Sequence, residues 1–175
     1  MKKFAIFTAF ILFCVAAASA QKAGGAKVDP TKGVHDAFDR LVDGIKQVDS
    51  DKVMSVYDKT PRLLIFNNNG TATLGWDNVK ANVAASYAKT SNVTLDITGL
   101  RIDLLGASGA SLTCKWKQSQ EYSGKLESSS GRMTLIFRLV GKEWKITHRH
   151  TSPDKPDPSL LMPSERLPEK TPEKP

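Results

Sequence analysis

The chain is short of cysteine and histidine, and each shortage removes a class of function. Its 175 residues include two cysteines, Cys14 and Cys114. Cys14 lies in the opening MKKFAIFTAFILFCVAAASAQ, where a two-lysine start precedes an apolar run from Phe4 to Ala18. The small-x-small ending Ala18-Ser19-Ala20 reads with them as a secretory signal of bacterial kind, cleaved after Ala20. Bulky Phe13 ahead of Cys14 disfavours lipoprotein processing. Cleavage leaves about 155 residues, enough for one domain with a real core. Cys114 then stands alone, which excludes an internal disulfide and leaves burial to supply stability. No second apolar stretch reaches the roughly 20 residues that a spanning helix needs, so no membrane insertion is expected after cleavage. The expected location is periplasmic or secreted.

Concentrated charge is also missing. Removing Lys2 and Lys3 from the 25 Lys+Arg leaves 23 against 18 Asp+Glu, a surplus of five. These basic residues are scattered along the chain, whereas nucleic-acid binding needs a concentrated footprint, so no nucleic-acid partner is expected. There is no internal repeat. The leader Gln21 to Thr31 is small, polar and rich in Gly and Ala. From Pro153 onward a tail dense in proline and charge reads as extended and largely disordered.

Between them, periodicity sets out the elements. Val34, Phe38, Leu41, Ile45 and Val48 form the apolar stripe of an amphipathic helix beginning near Thr31. A shorter helix fits Ser50 to Tyr57, capped by Ser50 or Asp51. Pro61 ends helix formation, and RLLIF, NNNG and TATLGW make a strand, a turn and a return strand. Asp77 opens a third helix through about Lys89, with Val79, Val83 and Tyr87 on one side. After Ser91 the period becomes two. Val93, Leu95 and Ile97 alternate, then Leu100, Ile102 and Leu104 take over in the other phase, which predicts a β-bulge at Thr98-Gly99. Three further strands follow, carrying Leu112-Cys114-Trp116, Met133-Leu135-Phe137-Leu139 and Trp144-Ile146-His148. A two-residue turn at Gly141-Lys142 would set Leu139 against Trp144, Phe137 against Ile146, Leu135 against His148 and Met133 against His150. Both histidines are thereby expected on the apolar face. Arg132 and Arg138 alternate onto the outer face, which is either solvated or a dimer interface.

In this order the elements resemble the SnoaL-like branch of the nuclear transport factor 2-like superfamily, the group that includes ketosteroid isomerases and kinase association domains. Gly75-Trp76-Asp77-Asn78-Val79 resembles the family's glycine and third helix, and GRMTLIFRLVGKEWKITHRHTS its closing hairpin. The resemblance covers about Lys32 to Ser152. It implies an α+β cone, a single domain whose three helices and short hairpin pack against a curved antiparallel sheet around a pocket. It also implies a homodimer through the outer sheet face. The isomerase chemistry pairs an Asp base with a Tyr and a protonated Asp. Approximate alignment puts the tyrosine near Leu41 and the base within Ile65 to Asn67, where no carboxylate stands, so that mechanism is not carried over.

The candidate site is therefore the inward face of the last strands: Cys114, Trp116, Gln118, His148 and His150, with Tyr57, Phe66 and Trp76 as further lining. Apolar walls with a few convergent polar groups suit a small hydrophobic or aromatic ligand. His148 and His150 are read either as core histidines satisfied by hydrogen bonds or as an acid/base pair for a lyase or isomerase. A metal would need a third ligand, and the remaining histidine, His35, lies near the start of the first helix, so neither metal nor cofactor is expected. A protein-interaction module with a vestigial pocket is the third reading.

Overall fold

A computed structural model describes residues 29–155, 157, 159 and 161–165. The expected signal, most of the leader and much of the tail lie outside the described residues. Helix α1 (Lys32–Gln47) buries Val34, Ala37, Phe38 and Leu41, following the apolar stripe. Val48, expected to extend that stripe, instead caps the helix in the left-handed region at φ 54°. Helix α2 (Ser50–Ser55) follows immediately, and its cap is Asp49, not Ser50 or Asp51: Asp49 Oδ1 accepts from the Lys52 N–H at 2.9 Å. The two helices meet at Gly44, where a Cβ would stand 2.9 Å from Val53 Cγ2. Only a glycine permits that approach.

Strands β1 (Leu64–Phe66) and β2 (Ala72–Leu74) form the short hairpin, and α3 (Trp76–Tyr87) starts after Gly75, which holds φ 87°. Four long strands complete the chain: β3 (Thr90–Leu104), β4 (Gly109–Tyr122), β5 (Lys125–Val140) and β6 (Glu143–Pro153). The sheet order is β2-β1-β6-β5-β4-β3. Every pairing is antiparallel except β1 with β6, which is parallel. The concave face buries Leu95, Leu112, Cys114, Met133, Leu135, Phe137 and Ile146 in one cluster with Phe38 and Leu41 of α1, apart from Leu95, which lies buried outside it. Each fully buried Leu or Ile there contributes roughly 1.5–3 kcal/mol. Trp144 packs on the start of α1, where a Cβ on Gly33 would come within 2.5 Å of its ring. No helix among the described residues is long and apolar enough to cross a membrane.

Irregularities in the ladders decide which side chains reach the concave face. In β3, Thr98 pairs with Lys115 and Arg101 with Thr113, so Gly99 and Leu100 together oppose Cys114. This is the predicted bulge, displaced by one residue, and Gly99 takes the left-handed φ of 61°. A second bulge at Asn92-Val93 lies earlier in the strand and has no counterpart in the apolar pattern. The third corrects the reading of β6. Phe137 pairs with Ile146 as expected, but Ile136 then pairs with His148, Leu135 with Arg149 and Thr134 with His150. Thr147 is the extra residue, and its hydroxyl donates to Ile136 O at 3.2 Å. The expected pairs Leu135 with His148 and Met133 with His150 do not form, because the inserted residue reverses the faces beyond it. Pro153, expected to open the tail, instead closes the ladder opposite Gly131.

The bulge coincides with an exchange of partners along the other side of β6. Ile146 bonds to the Val56–Asp58 backbone, with its N–H donating to Val56 O at 2.8 Å and its carbonyl accepting from Asp58 N–H at 2.9 Å. Two residues later the partner is β1, through Leu64, Ile65 and Phe66. The intervening Lys59 to Leu63 leaves the sheet, and Asp58 is the only buried carboxylate among the described residues, held at 2.5 Å by Arg138 on the outer face.

Candidate functional site

Beyond the bulge the inward residue of β6 is Arg149. It stands beside Ile65 of β1, which is 1% exposed, and opposite Leu135, which is fully buried. One guanidinium nitrogen, Nη1, donates to the Tyr57 hydroxyl at 3.2 Å, and Nη2 donates to Asn67 Oδ1 at 3.4 Å. Nε is buried without a partner among the described residues. Arg149 makes no ion pair with any described carboxylate.

Arg149 forms part of a cavity of about 290 Å³ between the helices and the sheet. Ile45, Val53, Ile65, Val79 and Val83 give it apolar walls, and Asn67, Thr73, Asn82, Ser86, Tyr87 and Gln118 supply polar groups. An adjoining recess of about 580 Å³ shares Ile45, Asn67, Ser86, Gln118 and Arg149 with it and opens past Trp116, Gln120 and Thr151. Desolvation on burial, and next the neighbouring Tyr57, push the Tyr87 phenol up to about 12, against a smaller opposing pull from Arg149. Tyr87 is therefore a hydroxyl donor throughout the neutral range. Trp116 Nε1 is a further buried donor without a partner among the described residues. Among the described residues no Asp, Glu or His lines either recess.

The eight residues expected at the site divide. Gln118 lines the inner cavity and Trp116 the outer recess, while Tyr57, 3% exposed, stands behind Arg149 and accepts its hydrogen bond. Cys114 is buried in the core beneath the β3 bulge, where desolvation raises its thiol to about 11. Trp76 begins α3, with the ammonium groups of Lys59 and Lys80 within 5.0 and 5.3 Å of its ring. Neither Cys114 nor Trp76 touches the cavity. His148, His150 and Phe66 gather on the opposite face, and the Phe66 ring meets the two imidazoles edge-on at 5.4 and 5.7 Å. Phe66 is 40% exposed there. These three are pocket residues only without the Thr147 bulge; with it, Arg149 and Ile65 take their places. Among the described residues no three His, Cys, Asp or Glu side chains converge as metal ligands would.

Arg149, Asn67 and Tyr87 are the polar groups that pattern reading overlooked. Arg149 sits between two histidines in a strict alternation, so period two assigns it outward. Asn67 offers the sequence pattern only a missing carboxylate, and Tyr87 counts there only as part of the apolar side of α3.

A model of the SnoaL-like domain matches residues 34–156. The chain belongs to the SnoaL-like domain family. Solved structures share its fold at low identity. A nuclear transport factor 2-like superfamily protein from Salmonella enterica is 19% identical, covering 76% of this chain and 97% of its own, with a TM-score of 0.67. A ketosteroid isomerase-like protein from Erwinia carotovora is 12% identical over 74% of this SnoaL-like chain and 99% of its own, with a TM-score of 0.63. A further relative of this fold from Cytophaga hutchinsonii is 14% identical over 71% and 98%, with a TM-score of 0.60. No curated protein matches the sequence. Leu41, near which the isomerase tyrosine is expected, is 1% exposed within the core, and Asn67 lines the cavity as an amide.

Proposed function

We propose that this SnoaL-like domain binds a small, largely apolar molecule in the cavity beneath α3, with recognition rather than proton transfer as its task. The observation that carries the reading is the cavity itself, whose volume lies close to the lower end of small-molecule sites and whose aliphatic walls converge on a few oriented polar groups. Among the described residues neither recess is lined by an Asp, Glu or His that could serve as an ordinary general base, which favours binding over the lyase and isomerase alternatives. A neutral naphthylamine dye tests the proposal. Its fluorescence should rise on binding to the wild-type protein, and Val83→Trp, which fills the cavity wall, should abolish the rise. An unchanged signal in the filled variant would remove the pocket from the proposal.

Export belongs to the same reading and rests on the opening Met1 to Ala20. Amino-terminal sequencing of the protein recovered from a bacterial periplasm should begin at Gln21. The outer sheet face, where Phe66 and both strand histidines gather, is the proposed dimer surface. Light scattering on an eluting peak tests it, and a monomer mass at micromolar concentration would reject it.

A further inference from the structure

We infer that the ligand of this cavity carries a carboxylate, and that Arg149 is the residue that receives it. The inference rests on the cavity being a binding site and adds the chemical class of what enters.

Three observations lead to it. First, the Thr147 bulge directs a guanidinium toward the concave face, into the wall shared by the cavity and its mouth. Arginine stays protonated at any physiological pH, so the site holds a permanent positive charge. Second, that charge has no counter-ion among the described residues. The described acceptors are two neutral oxygens at 3.2 and 3.4 Å, long for hydrogen bonds to a cation, while Nε is buried and unpartnered. Arg149 is half-buried with its Nε buried outright, and a partly desolvated cation without an anion is destabilised by an amount that a ligand anion removes. Third, the surroundings match an acid with an apolar body. Five aliphatic side chains face the cavity, and the Tyr87 hydroxyl and the Trp116 indole N–H supply further donors on the two recesses.

The charge count narrows the anion. Among the described residues Arg149 is the sole Lys or Arg lining either recess, which suits a single negative charge better than a phosphate dianion. With two of its five N–H donors used by Tyr57 and Asn67, the planar guanidinium keeps further N–H groups for the oxygens of a planar carboxylate. Tyr57 and Asn67 hold the guanidinium in place from one side and are positioning residues.

Matched pairs of acid and amide distinguish this inference from the pocket proposal. Benzoate and phenylacetate are titrated against benzamide and phenylacetamide at fixed ionic strength, with inorganic phosphate as a third probe. Displacement of the neutral dye and the thermal midpoint are both read. In wild-type protein each acid should bind at least about tenfold more tightly than its amide, as expected for hydrogen bonds to a charged group. Phosphate should leave the midpoint unchanged. Arg149→Gln should lower acid affinity to that of the amide without altering the amide, and Arg149→Lys should fall between, because it keeps the charge and loses the fork.

Equal affinity of acid and amide in the wild type overturns the inference while leaving the pocket in place, and that comparison needs no variant to fold. So does tight binding of acid by a folded Arg149→Gln protein, or a dye that binds but is displaced by neither acid. A dye that fails to bind, together with silent acids and amides, removes the pocket and the carboxylate together.

Discussion

Two bulges, one in β3 and one in β6, use the same backbone device for different ends. In β3, Gly99 and Leu100 oppose Cys114; in β6, Thr147 and His148 oppose Ile136. The β3 bulge lies between Ile97 and Ile102, which both pack against the core, so one apolar face continues through it. The β6 bulge lies between Ile146 and Arg149, so the face passes from hydrocarbon to charge at that residue. An added residue in a strand can thus preserve a core or deliver a cation into a cavity. The side chains on its far side decide which.

The sharpest way to test the contrast is to substitute either side of the β6 bulge. Ile146→Ala, at a fully buried position, should lower the unfolding free energy by about 3 kcal/mol in urea titration. His148→Ala, two residues on, should cost less than about 1 kcal/mol, since it loses little beyond the edge contact with Phe66. Comparable costs at both positions would mean that the strand runs without its bulge. At the β3 bulge, Gly99→Ala meets no atom within 4 Å and should cost about 1–2 kcal/mol from the left-handed backbone alone. Thr147→Val, which removes only the bond to Ile136 O, should cost about 1 kcal/mol or less.

The smallest effect is nil at neutral pH and concerns two titrating groups, Cys114 opposite the β3 bulge and Tyr87 in the cavity wall. Burial raises the folded Cys114 thiol from 9.0 to about 11 and the folded Tyr87 phenol from 10.0 to about 12. Because the folded state holds these protons more tightly, the stability they contribute is complete below the unfolded values and is lost as pH rises toward the folded ones. The thermal midpoint should therefore decline from about pH 9 upward. Cys114→Ala should blunt the first part of that fall, and a midpoint flat to pH 11 would contradict both shifts.

How far each region could be read from the chain follows from the same contrast. The β3 bulge was visible because apolar residues flank it on both sides and change phase across Gly99. The one in β6 left no such mark: beyond Ile146 the residues are Thr, His, Arg and His, and a polar run looks alike in either register. Every site residue placed by continuing the alternation past Ile146 therefore changed faces, and Phe66 with them, since β1 takes its register from β6. Helices, hairpin and strand sequence were legible because their apolar spacing is long and regular. Gln118 and Trp116 remained at the cavity because β4 lies clear of the β6 bulge, and Tyr57 remained behind it because it bridges Ile146, the last residue before the register changes.

The parallel pairing of β1 with β6 also sets an order of events. The strands β3 to β6 follow one another through short turns and can zip locally, whereas Leu64 must find His148 across a long loop, with its closure entropy, for only three residue pairs. The wall carrying Ile65, Asn67 and Thr73 is thus the last part of the cavity to assemble and the first to detach. Local opening of this hairpin would thus unseat Ile65, Asn67 and Thr73 together, ahead of the rest of the sheet.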